Sequence, residues 1–204
     1  MYSCGGSDET TQQENSDDAT FIIDKNCTYS YDANASSLKW TAFKTTDRLA
    51  VGGSFDSIAV TLLDTSYSPK EALRNASFTI FTNSVFTDNP ARDETIRKFF
   101  FSSLKGDGTI IGEVKIVEGN DREGGGTVKI KLNEVTRDIG FKYTISGNEI
   151  VFNTKINLNS FEGQEALTSL NTNCNEVHKG ADGISKLWPD LEIEVKASLI
   201  KTCK

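Results

Sequence analysis

The chain has 204 residues with 22 Lys and Arg against 29 Asp and Glu, a formal net charge of −7, so it lacks the clustered positive charge that sequence-independent nucleic-acid binding needs. Hydrophobic residues are 37% of the chain, enough for one domain with a sizeable core, and no apolar run reaches the ~18 residues of a membrane-spanning helix. One His and four scattered Cys offer no multi-ligand metal site, and nothing calls for a cofactor.

Residues 1–20 open the chain as a tether. Gly5–Thr20 is Gly, Ser, Asp, Glu, Thr, Gln and Asn with a single Ala, too little apolar surface to offset the entropy of ordering. Before it, Tyr2-Ser3-Cys4-Gly5-Gly6 places a small residue, a Cys and Gly-Gly ahead of a polar linker. That order resembles the end of a bacterial lipoprotein signal, with Cys4 the lipidated residue and the membrane a partner through its anchor. The alternative is a free N-terminal cysteine.

From Phe21 onward, period-2 alternation dominates. Leu38, Trp40 and Ala42 alternate with Lys39 and Thr41, and Phe55, Ile58–Leu62 and Phe78–Thr82 follow. Val114-Lys115-Ile116 continues the pattern, as do Val128–Leu132, Ile139–Ile145, Ile150–Ile156 and Leu191–Ala197. Gly147-Asn148 is a tight-turn pair, and the Gly-rich stretch Glu118–Gly126 reads as a loose hairpin turn. Three short helices interrupt the strands. Ser68 caps Pro69–Arg74, Pro90–Phe100 sets Ile96 and Phe100 on one face, and Gly163–Val177 carries Ala166, Leu167 and Leu170 at helical spacing. The reading is one all-β domain over residues 21–204. Alternation alone leaves open whether its apolar faces stack as a sandwich or close as an antiparallel barrel.

Several segments together resemble the YceI-like family of bacterial lipocalin-like proteins. Tyr31-Asp32, Ser37–Trp40 and Val51–Phe55 resemble its first hairpin, and Asn89–Glu94 with Ile96 and Phe99–Phe101 resembles its Arg-Asp helix ending in paired Phe. Val128–Phe141, with Val135-Thr136-Arg137 between two strands, resembles its "gly-val-thr-arg" hairpin, although Glu134 stands where Gly is usual. The resemblance implies a single antiparallel lipocalin-like β-barrel with short capping helices, secreted to the periplasm. Its interior would hold a long isoprenoid or fatty chain as ligand. The stretch Gly163–Pro189 is longer than the common form and is expected to reshape the barrel mouth.

In that barrel the inward-facing residues are the ligand-binding candidates: Trp40, Phe55, Phe78, Ile80, Val114, Ile116, Ile130, Phe141, Tyr143, Phe152 and Ile156. The competing reading of each is ordinary core. Arg92 and Arg97, on the helix beside the aromatic run, could meet a phosphate or carboxylate head group; the competing reading is a structural pair with Asp93. No catalytic residue is assigned. His178, the lone histidine, sits four residues after Cys174, but no nucleophile-elbow signature surrounds it. Gly124–Gly126 lacks the Lys and Ser/Thr of a phosphate loop.

Barrel closure predicts a disulfide. First and last strands would be antiparallel neighbours, which brings Cys27 beside Cys203; pairing of Cys174 with either is the competing arrangement. The function expected is an envelope lipid binder. Its alternatives are a non-enzymatic structural or protein-binding module whose barrel is self-filled, and an enzyme using Cys174 or His178.

Overall fold

The computed structural model describes residues 26–61, 66–74 and 76–204. The tether and Cys4 lie outside the described residues.

The alternating segments form ten antiparallel strands in one sheet. They are β1 (Cys27–Lys44), β2 (Leu49–Phe55), β3 (Ile58–Thr61), β4 (Ser77–Phe81), β5 (Val85–Phe86), β6 (Thr109–Gly119), β7 (Glu123–Leu132), β8 (Val135–Ser146), β9 (Glu149–Asn157) and β10 (Leu187–Cys203). From β6 to β9 each strand pairs with the next, and β10 returns to β1. β2 and β3 are separated by only Asp56 and Ser57, and β4 and β5 by Thr82–Ser84. β2 pairs with β5 and β3 with β4, while Asp56 N–H donates to Ser84 O and Phe81 N–H to Ser57 O. The ladder therefore continues through both kinks. Taken as two bent staves, these four segments close the curled sheet, since ten strands with two kinked pairs make eight staves. An eight-stave antiparallel barrel is wide enough for side chains or one slender ligand.

Among the described residues, three α-helices sit at the ends. In α1 (Pro69–Leu73), Ser68 Oγ accepts from Glu71 N–H and proline occupies the first turn, where its missing N–H costs nothing. Lys70 Nζ donates to the Gly119 carbonyl, which fixes α1 at the barrel end holding Cys27 and Cys203. At the opposite end lie α2 (Pro90–Phe99) and α3 (Gln164–Asn173). Asn89 caps α2 by accepting from Arg92 N–H. A short 3-10 turn, Asn175–His178, continues α3.

Two local expectations are corrected. Glu118–Gly126 is not a loose turn: only Asn120–Arg122 turn, and Gly124, Gly125 and Gly126 lie within β7. The glycines stand opposite aromatics, Gly124 across from Tyr143 and Gly126 across from Phe141. A Cβ on Gly126 would sit 2.6 Å from the Phe141 ring and 2.1 Å from the Ile116 carbonyl. Large rings in a sheet need this absent side chain, so the glycine run marks close packing instead of a bend. The second correction concerns Ile116. The register slips between Val114 and Ile116, with Lys115 the extra residue. Such a bulge turns the following residue to the other face. Ile116 is 48% exposed, while Val117 packs against the core instead.

Glu134, at the turn position where the resemblance implies glycine, holds a conformation that favours one. Asn133 and Glu134 have φ of 55° and 62°, the left-handed pair of a tight hairpin turn. The buried Asn133 side chain holds it: Oδ1 accepts from Lys105 N–H at 2.6 Å, and Nδ2 donates to the carbonyls of Phe161 and Glu162 at 2.9 and 3.1 Å.

Cys27 and Cys203 are joined by a disulfide. They are direct partners in the β1–β10 register, so strand pairing alone brings them together. Cys174 is free.

Candidate functional site

The alternation that builds the strands also turns one apolar face of each inward, and the inward faces do not meet. They enclose a cavity of about 950 Å³ that runs from β1 residues near Ala33 to Leu170, Val177 and His178 at the helical end. Native interiors rarely leave voids larger than a water molecule. At ~30 Å³ per water, this one would hold about 30 waters.

What keeps the lumen open is where the large rings lie. Trp40 stands opposite Gly53 and Phe78 opposite Gly112. A Cβ on Gly53 would sit 2.3 Å from the Trp40 ring, and one on Gly112 2.0 Å from the Phe78 ring. Each ring therefore lies flat across its neighbouring strand instead of projecting into the lumen. Trp40 Nε1 donates to the Ser54 carbonyl at 3.3 Å, which holds its ring in that pose.

Of the residues expected inward, Trp40, Phe55, Phe78, Ile80, Val114, Ile130, Phe141, Phe152 and Ile156 line this cavity, and Arg92 stands at its mouth. Arg92 is exposed, so the cavity meets solvent beside it. Three expected residues do not line it. Ile116 faces outward after the bulge. Tyr143 is buried on the inward face, but its hydroxyl donates one hydrogen bond between the Glu118 and Asn120 carbonyls, at 3.0 and 2.9 Å. It closes the wall at the 120–122 turn. Arg97 donates from Nη1 to the Val85 carbonyl at 3.3 Å and ties α2 to β5. The expected alternative, an Arg–Asp pair, is replaced: Asp93 is buried and accepts from Thr87 Oγ1 at 2.6 Å.

Two groups of lining residues lie outside the ligand-binding candidates that the barrel alternation nominates. Leu191, Ile193 and Val195 on β10 line the wall, and the alternation there carries the same signal as elsewhere. Leu167, Leu170, Cys174 and His178 come from the long 163–189 stretch, which forms α3 and the turn after it and so builds one end of the lumen. Helical spacing marks Leu167 and Leu170 as one apolar face, but that this face, with Cys174 and His178, meets the lumen depends on how α3 docks on α2 and β10.

Polar chemistry concentrates at that helical end. His178 is only 8% exposed, and its Nδ1 lies 2.9 Å from Asn171 Oδ1. Burial, then the nearby Lys44 charge, pushes the imidazole pKa below its ordinary value. Lys44 Nζ donates to the Val177 carbonyl at 2.8 Å. Burial pushes the Cys174 thiol up, with Lys44 opposing, which keeps it a protonated, poorly nucleophilic thiol at neutral pH. His178 Nδ1 is engaged by Asn171, and among the described residues no hydrogen bond joins the Cys174 thiol to either ring nitrogen, so the nucleophile–base contact of covalent catalysis is not made here. Trp188 closes the same end, with Nε1 donating to the Thr45 carbonyl at 2.8 Å and Arg48 and Lys186 over its ring at 4.5 and 3.6 Å.

A family model described as YceI-like domain matches residues 29–199. No curated protein matches significantly. Among solved structures, a polyisoprenoid binding domain from Saccharophagus degradans implicated in plant cell wall breakdown is similar at 16% identity and TM-score 0.59, over 84% of this chain and 97% of that one. BcnA of Burkholderia cenocepacia is similar at 14% identity and TM-score 0.60, over 84% and 99%. The YceI protein of Campylobacter jejuni is similar at 18% identity and TM-score 0.54, over 74% and 84%. At these identities the structural likeness is one of fold.

Proposed function

The chain belongs to the YceI-like domain family, and from that premise we propose that its barrel holds one long apolar molecule, an isoprenoid or fatty chain, as a carrier or reservoir in the bacterial cell envelope. The observation that carries this is the ~950 Å³ cavity with its mostly apolar wall. Water in such a lumen finds few hydrogen-bond partners, whereas each methylene moved into it gains about 0.8 kcal/mol. For ~15 methylenes that is roughly 12 kcal/mol before the costs of immobilising the chain. The polyisoprenoid binding described for the Saccharophagus degradans domain is the same class of ligand. The reading is of a binder and not an enzyme. The competing module with a self-filled barrel is disfavoured by the same volume.

Native mass spectrometry of protein purified from cells tests the ligand. The expected result is a population heavier by one lipid mass, which solvent extraction removes. Failure of the extracted protein to take up either a prenyl alcohol or a fatty chain would refute the proposal. The envelope reading includes lipidation at Cys4 and attachment to a membrane. Cys4→Ser in the full-length protein with its export signal should move it from the membrane to the soluble envelope fraction, and unchanged fractionation would remove the anchor.

A further inference from the structure

We infer that His178 Nε2 is an acceptor built into the helical end of the lumen, which selects apolar ligands whose terminus carries a neutral hydrogen-bond donor, a hydroxyl or an amide N–H. The inference rests on the barrel's holding an apolar chain and adds which end group that chain carries.

The Ser185 backbone carbonyl can only accept a hydrogen bond. Asn171 Nδ2 faces that carbonyl at 3.5 Å, and this orients the Asn171 amide. Its Oδ1 then accepts from Ser185 Oγ at 3.2 Å and faces His178 Nδ1 at 2.9 Å. An amide oxygen cannot donate, so Nδ1 carries the imidazole proton and Nε2 carries the lone pair. Nε2 has no protein partner, and it is not among the sealed-in polar atoms, which in the described residues are only Ser66 Oγ and Asp121 Oδ1. The ring it belongs to is nine-tenths buried and lines the lumen. A neutral acceptor in an apolar cavity strongly prefers a ligand that supplies a donor, because an unmet buried acceptor carries the full desolvation cost.

The surroundings keep the ring neutral. Burial and Lys44 on β1 both disfavour the imidazolium. Cys174 on the adjoining helix end is held as a thiol, and Glu176 and Lys179 beside it pair with each other at 2.6 Å. A carboxylate or phosphate terminus would face the Nε2 lone pair and be repelled, although Lys44 could hold one nearby.

The test uses lipid-extracted full-length protein and three sixteen-carbon probes: the primary alcohol, its methyl ether and the carboxylate, followed by Trp40 and Trp188 fluorescence. The ether keeps the chain and removes the donor. The expected result is alcohol binding about fivefold tighter than ether, the effect of one net hydrogen bond, with the ratio falling to one in His178→Phe. Equal binding of alcohol and ether by the wild type, or a ratio that survives in His178→Phe, overturns the inference and leaves the carrier reading standing. Carboxylate binding tighter than alcohol and lost in Lys44→Met overturns it in favour of an anionic end group. No uptake of any probe sinks the carrier reading itself. If His178→Phe does not fold, the wild type still decides. The chain has one His, so nitrogen-15 histidine labelling gives a single imidazole, whose Nε2 should show a pyridine-type shift that moves on addition of alcohol and not of ether. A protonated Nε2 in the empty protein overturns the inference.

Discussion

Ile130→Glu and Ile116→Glu place the same carboxylate on neighbouring strands, and the structure assigns them opposite outcomes. Ile130 is 6% exposed, lines the lumen and lies between Gly112 on β6 and Arg137 on β8. Replacing it removes a buried aliphatic side chain, about 1.5–3 kcal/mol, and leaves a carboxyl without a partner, about 1–3 kcal/mol. A loss of roughly 2.5–6 kcal/mol is expected, a large fraction of the ~5–15 kcal/mol typical of a domain. Burial disfavours the ionised form and raises the pKa of the introduced carboxyl. Between the unfolded value near 4.3 and that raised value, the folded state binds more protons than the unfolded one. The deficit therefore shrinks as pH falls through the window, by at most about 1.4 kcal/mol per unit. Ile116 is 48% exposed beyond the Lys115 bulge, and its replacement should fall within about 0.5 kcal/mol of wild type, as surface changes do. Urea denaturation from pH 7.5 to 5, with lipid uptake by the folded fraction, reads both. Equal damage from the two would show that alternation runs through Lys115 unbroken. A harmless Ile130→Glu would show that the lumen is not where the β7 register places it.

Gly112→Ala should force Phe78 off its strand, since the new Cβ would fall 2.0 Å from the ring; overpacking costs about 1–3 kcal/mol, and lipid uptake should fall as the ring enters the lumen. Gly140→Ala, whose Cβ meets nothing closer than 3.9 Å, is the control that should bind and melt like wild type. Replacing both Cys27 and Cys203 by Ser opens a loop of 176 residues, for which chain entropy sets a loss of up to about 5 kcal/mol; a drop in denaturation free energy below about 1 kcal/mol would contradict that account. His178 is held below its ordinary pKa of 6.5, so under mildly acidic conditions the unfolded chain binds a proton that the native state does not. Its contribution to stability is complete above about pH 6.5 and is lost as pH falls from there toward the depressed native value. Midpoints measured from pH 7.5 to 5 should show a slope that His178→Phe reduces, and an unchanged slope would place the imidazole in water.

The sequence by itself determined where most of the strands lie and which face of them is apolar, though not the two-residue β5 or the first half of β1. The pleat alternates every residue whatever the strand's partners are, so Val128–Leu132 and Ile150–Ile156 declare their inward residues without reference to anything distant. The cap at Ser68 is equally local, and the Cys27–Cys203 pairing follows once the first strand lies beside the last. Where one residue disturbed the period, the reading failed: nothing in Val114-Lys115-Ile116 announces that Lys115 is surplus, because a bulge exists only relative to the partner strand. The glycines of β7 misled for the same reason, since their role is visible only once Phe141 and Tyr143 lie across them. The cavity was beyond the sequence altogether. Whether Trp40 and Phe78 fill the barrel or lie against its wall depends on Gly53 and Gly112 standing opposite them, and whether His178 faces a lumen depends on where α3 docks. A strand face is set by neighbouring residues along the chain. An empty interior is set by the distance between opposite walls, which only the closed barrel fixes.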